Sequence, residues 1–205
     1  MTTKVLRTVG SSFFLGLALA AAGFSQTSPS RNFPNIKISN FGQMDERFYR
    51  GAQPKKGSYE ALKALGIHTV IDLQAEPKDY EKAEVEALGM KYVNIPMPGK
   101  QYPTAEHVAL FLKTVDDPET GVFYLHCAGG RHRTGDMGAV YRFTKYGWDF
   151  DKVYQEMENY DFYTSWGHGR MKDFVVDYAA KVQADRVAAP GSAPAEASAA
   201  ALANR

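Results

Sequence analysis

The chain has 205 residues, 44% of them hydrophobic, with 24 Lys and Arg set against 23 Asp and Glu. That is enough apolar material for one domain with appendages. The near balance of charge excludes a general nucleic-acid or membrane-surface binder, which would be strongly basic, so any anion recognition must be local.

At the N-terminus, Lys4 and Arg7 precede the apolar run VGSSFFLGLALAAA and then GFSQTSPS. A positive start, a short apolar stretch and small residues predict a secretory signal peptide over 1–25. Cleavage after Ser25 fits, and after Ala22 is the rival. The run is too short for a comfortable membrane span. Removal takes away two cations and no anions and leaves a net charge near −1. The expectation is an exported chain, periplasmic or secreted, with no stable membrane association afterwards. One cysteine allows no intramolecular disulfide.

Ile36–Ile38 and Arg47–Arg50 predict an opening strand pair. Ser58 is placed to cap a helix that Gly66 stops. His68–Leu73 is a β-branched, buried-type strand, and Lys78–Leu88 an amphipathic helix ending at Gly89. Lys91–Ile95 is another strand. Thr104 caps a helix carrying Val108, Phe111, Leu112 and Val115, and Gly121–Leu125 is again a buried strand. Helices follow over Thr134–Lys145, Asp149–Asn159 and about Arg170–Val182. The remainder, 183–205, is rich in Ala, Pro and Ser, cannot bury enough to order itself and reads as a disordered tail. Tyr49, Phe111, Phe123, Trp166 and Phe174 read as core, and His68 as a strand-edge residue. Strands alternating with helices imply an α/β domain over 33–182, with a mainly parallel sheet of about five strands flanked by helices. In such sheets the site lies beyond the carboxyl ends of the strands.

The segment His126–Gly135, HCAGGRHRTG, sits at such an end and holds the only cysteine. A strand, a loop of small residues and a helix start make an anion cradle from backbone N–H groups and the helix dipole. Ala128, Gly129 and Gly130 keep bulk away. Arg133 can bind two oxygens of one phosphate with its planar fork. In that field Cys127 favours the thiolate. The Thr134 hydroxyl can bond to the sulfur and ease its departure. The five histidines show no paired ligand spacing, so neither a metal nor another cofactor is expected. Arg50 and Gln53 leave a strand near the site and are candidates for substrate contact.

His126, Cys127, Gly130, Arg133 and Thr134 fill every fixed position of the cysteine phosphatase signature His-Cys-x-x-Gly-x-x-Arg-Ser/Thr. Together with FYRGAQP (Phe48–Pro54), TVIDLQAE (Thr69–Glu76) and YVNIPM (Tyr92–Met97), the chain resembles the atypical dual-specificity phosphatases of the protein tyrosine phosphatase superfamily. The resemblance includes bacterial forms and a plant and fungal branch acting on inositol pyrophosphates. It implies a phosphocysteine intermediate and no metal, with Cys127 as nucleophile, Arg133 as phosphate binder and Thr134 assisting hydrolysis. The amides of Ala128, Gly129, Gly130, Arg131, His132 and Arg133 complete the cradle, and His126 shapes the loop. Two departures stand out. The inositol pyrophosphate branch usually has Arg before the Gly and Lys-His after it, where this chain has Gly129 and Arg131-His132. Lys55, Lys56 and Lys100 are candidates to replace the missing cation. The stretch Asn94–His107 also has no Asp for the usual general acid, which leaves Glu106, His132 and Asp161 as candidates. The implied partner is a phosphorylated substrate: a phosphoprotein, an inositol phosphate or a small ester. A phytase-like or inositol pyrophosphate phosphatase and a weak phosphate-binding pseudophosphatase are the alternatives.

Overall fold

The structure, a computed structural model, describes residues 31–188. The expected signal peptide over 1–25 and the tail beyond Ala188 lie outside the described residues.

Five strands form one sheet: β1 (Gly42–Gln43), β2 (Phe48–Ala52), β3 (Thr69–Gln74), β4 (Lys91–Met97) and β5 (Phe123–Cys127). Their order is β1-β2-β5-β3-β4, with β1 antiparallel and every other pairing parallel. β2, β3 and β5 are buried throughout, as strands covered on both faces must be, whereas the edge strand β4 alternates toward solvent.

Among the described residues six α-helices cover the sheet: α1 (Tyr59–Ala64), α2 (Glu81–Ala87), α3 (Ala105–Asp116), α4 (His132–Tyr141), α5 (Phe150–Asn159) and α6 (Gly169–Ala188). The period-2 alternation of β5 splits the core in two. Phe123, Leu125 and Cys127 join the apolar cluster with Phe111, Val140, Val153 and Phe174 from α3, α4, α5 and α6. Tyr124 faces the other cluster, with Leu62 and Val85 from α1 and α2.

Thr104 caps α3 as expected: its hydroxyl accepts from His107 N (3.3 Å), and His107 Nδ1 accepts from Thr104 N (3.1 Å). Five expectations need correction. Ile36–Ile38 is not a strand. The backbone turns at Ser39 and Asn40 (Asn40 φ 55°), and Gly42–Gln43 pairs with β2 instead. Ser58 precedes α1 with a helical backbone and no side-chain cap. The last turn after α4, Arg142–Tyr146, widens to a π turn. Residues 183–188, expected in the disordered tail, continue α6, because Arg186 bonds to the carbonyls of Phe143 and Gly147. Trp166, expected in the core, is 81% exposed.

The π turn and α5 are joined by a buried ion pair. Arg142 Nε and Nη2 meet Glu156 Oε2 and Oε1 at 3.0 and 2.7 Å, and Nη2 also donates to Met44 O at 2.7 Å. The guanidinium lies 4.2 Å from the Trp148 ring centroid. Removing one partner strands the other charge in the interior. Glu156→Ala is therefore expected to lower stability by about 3–5 kcal/mol, measured by urea unfolding at neutral pH.

Candidate active site

β5 ends at Cys127 and α4 begins at His132, so the four residues Ala128 to Arg131 turn the chain from strand to helix. Gly130 makes the turn possible. It has φ 66°, and a Cβ there would lie 2.3 Å from the Gly51 carbonyl carbon. The loop carbonyls are held outward. Gln53 N donates to Ala128 O (3.2 Å), and Asn40 Nδ2 and Arg50 Nη2 donate to Gly130 O (3.0 and 2.9 Å). Gly135 N donates to Arg131 O at 2.9 Å. Binding the carbonyls on the outside leaves the loop amides for the cleft, where the N-terminus of α4 adds partial positive charge.

Cys127 sits at the foot of a cleft of about 250 Å³ whose lining includes Gly99, Lys100, Ala128, Gly129, Arg131, His132, Arg133, His168 and Met171. The residue is 4% exposed. Burial works against a thiolate there, but the Thr134 hydroxyl, the Arg133 charge and the amides of Thr134 and Gly129 outweigh it, so the pKa is lowered. Arg133 Nη1 donates to Met97 O (3.0 Å) and Leu73 O (3.3 Å), the carbonyl ends of β4 and β3. Those bonds hold the fork beside the sulfur.

His126 follows the alternation to the opposite face. It is fully buried, with Nε2 2.8 Å from Glu81 Oε1 on α2 and Nδ1 3.7 Å from Asp72 Oδ1, its register partner on β3. Burial opposes charge on the ring, but the bond and charge of Glu81 and the charge of Asp72 prevail and raise its pKa. His126 therefore shapes the loop through carboxylates rather than through backbone bonds. These three side chains are the one group among the described residues whose donor atoms, within 4.8 Å of one another, would suit a metal. The 2.8 Å His126–Glu81 ion pair already engages two of them.

The general-acid candidates divide. Glu106 is exposed in the first turn of α3, and Asp161 is exposed with its carboxylate 3.7 Å from Arg131 Nε. Neither lines the cleft. His132 does, but burial, His168 and the charges of Arg131 and Arg133 lower its pKa to about 4. Of the candidate replacement cations, Lys100 borders the cleft and Lys55 and Lys56 do not. Arg50 and Gln53 do not touch the cleft either. Arg50 is fully buried behind the loop it braces, and Gln53 bonds to Tyr59 and Gln74. Two residues escaped sequence reasoning. His168 lines the cleft from the segment before α6, with no motif to mark it. Asp136 lies buried on α4, where burial and the Cys127 charge drive its carboxyl pKa far up against the pull of Arg50.

A thiol of lowered pKa at the carboxyl end of a central parallel strand, under an amide loop and an arginine fork, defines a cysteine phosphatase-type site. The chain belongs to the family described as DSP-PTPase phosphatase fused to NAD+ kinase, which matches residues 30–173. It is 28% identical over 125 residues to inositol diphosphatase DSP3 of Arabidopsis thaliana, covering 58% of this chain and 61% of that protein. It is also 28% identical over 130 residues to the putative tyrosine-protein phosphatase OCA1 of Mycosarcoma maydis, covering 59% of this chain and 79% of that protein. The matched region is thus less than two thirds of DSP3. Among solved structures, P. aeruginosa TpbA superimposes with a TM-score of 0.63 at 25% identity, covering 78% of this chain and 94% of TpbA. The catalytic core of the PP-IP phosphatase SIW14 from S. cerevisiae shares the fold, with a TM-score of 0.61 at 20% identity, over 75% of this chain and 93% of that one.

Hydrogen bonds to a charged group contribute about 1.5–3 kcal/mol. The Cys127 thiol is expected to alkylate with iodoacetamide with a midpoint below the free-thiol value of about 8.5. Thr134→Val should raise that midpoint by roughly one pH unit, equivalent to about 1.4 kcal/mol, as read from alkylation rate against pH.

Proposed function

We propose that this chain is a cysteine-dependent phosphatase that hydrolyses phosphate monoesters or phosphoanhydrides through a phosphocysteine intermediate. The observation that carries this reading is the buried Cys127 thiol with a lowered pKa, beside Arg133 and the start of α4. The thiolate attacks phosphorus as the bond to the leaving oxygen breaks. The amides and the Arg133 fork hold the equatorial oxygens, whose charge they stabilise through the displacement. Water then attacks phosphorus, the sulfur–phosphorus bond breaks, and Thr134 stabilises the departing thiolate.

The substrate class proposed first is phosphotyrosine and related aryl phosphates; TpbA, which has also been solved with phosphotyrosine bound, supports it. A second reading, a multiply phosphorylated polyol or its diphosphate, is favoured by Lys100 and Arg131 at the cleft and by the name of the DSP3 relative. Screening phosphopeptides and inositol phosphates with the purified chain separates the two. Turnover of para-nitrophenyl phosphate separates either from a binding-only pseudophosphatase. Export to the periplasm or medium is proposed on the N-terminal sequence alone, and fractionation of the expressing cells tests it.

Cys127→Ser is expected to abolish turnover while retaining phosphate binding, because the amides and Arg133 remain. Isothermal titration with inorganic phosphate and a turnover assay check both halves. Arg133→Lys should lower kcat/KM by at least about tenfold, or about 1.4 kcal/mol of barrier, since a point charge does not reproduce the fork.

A further inference from the structure

An alkoxide or phenoxide leaves phosphorus quickly only if a proton reaches its oxygen, a contribution of about 10²–10⁴-fold. No carboxylate lines the cleft among the described residues. Asp136 is fully buried and does not line it. Two imidazoles do, from different parts of the chain. The rings of His132 and His168 stack with centroids 3.6 Å apart and planes 14° from parallel.

Their hydrogen bonds give them different chemistry. His132 Nε2 lies 2.9 Å from the Tyr163 carbonyl, so it carries a hydrogen and is spent on backbone. Its pKa of about 4 keeps the ring neutral near pH 7. His168 Nδ1 lies 2.8 Å from the Ser165 carbonyl. A carbonyl only accepts, so Nδ1 bears the hydrogen. That leaves Nε2 as the ring nitrogen for proton exchange, on a residue that lines the cleft. The stack on His132 fixes the plane of the ring, and the Ser165 bond fixes its rotation.

We infer that His168 is the proton donor and acceptor of the reaction, an assignment that rests on the phosphatase reading above. In the first step the sulfur–phosphorus bond forms, the phosphorus–oxygen bond breaks, and the Nε2 proton passes to the leaving oxygen. In the second, water oxygen bonds to phosphorus, its proton returns to the neutral Nε2, and sulfur leaves as thiolate. His132 acts as a positioning residue beneath it.

The test is a series of aryl phosphates, from 2,4-dinitrophenyl to phenyl phosphate, on the full chain and on His168→Ala and His168→Gln. The first step is read from burst kinetics. Loss of the donor should leave 2,4-dinitrophenyl phosphate within about threefold of wild type, slow phenyl phosphate by about 10²-fold or more, and so steepen the leaving-group slope. Added imidazole should restore phenyl phosphate cleavage in His168→Ala. Equal losses across the series, a wild-type slope in both variants, or a steeper slope in Glu106→Gln or Asp161→Asn instead would overturn the assignment. Failure of the unaltered chain to cleave even 2,4-dinitrophenyl phosphate would overturn the phosphatase reading itself.

Discussion

The site depends on keeping a buried sulfur charged. Burial alone drives a thiol toward its neutral form, so every donor that reverses this has to be held at Cys127. The surrounding structure does that holding. Gly130 packs against the backbone of β2 at a distance no side chain allows, and Arg50 and Asn40 grip its carbonyl from behind. The carbonyl ends of β3 and β4 orient Arg133. Without these tethers the amides would be free to turn to solvent and the thiol would revert to its ordinary acidity.

The parallel sheet lets adjacent residues serve unlike ends. His126 and Cys127 are neighbours in sequence, yet the pleat sends them to opposite faces. Cys127 meets the cleft and the α4 side, while His126 is locked to Glu81 on α2 and lies beside Asp72. The last residues of β5 are thus tied to the opposite layer at the point where the chain must leave the sheet. The Glu81 bond and the Glu81, Asp72 and Cys127 charges together raise the His126 pKa against its burial.

The cleft itself is cationic and aromatic, with Lys100, Arg131, Arg133 and two stacked imidazoles and no carboxylate among its described lining residues. This makes it suited to an anion with high charge density. It also leaves imidazoles rather than a carboxyl group at the cleft for proton transfer. The segment that carries His168 also exposes Trp166, and Gly167 approaches the Lys100 side chain across the cleft mouth.

Local chemistry was legible in the sequence. The strand-loop-helix order around Cys127, the spacing to Arg133 and Thr134, and the stops at Gly66 and Gly89 all follow from residue types a few positions apart. Such features are set by backbone sterics and neighbouring side chains, so the linear order determines them. What the sequence left open lay in contacts between distant segments. Ile36–Ile38 has strand-like composition, but the turn at Asn40 hands the pairing to Gly42–Gln43. Arg50 looked like a substrate contact, but the register of β2 beside β5 places it behind the loop. Helical order past Val182 depends on Arg186 reaching the π turn. His168 is 41 residues from the thiol in a segment without a motif, and only the packing of the α5–α6 connection over α4 brings its ring to the cleft. Composition and spacing determine which bonds a segment can make with itself; which distant partner it meets is decided by the shared burial of the folded chain.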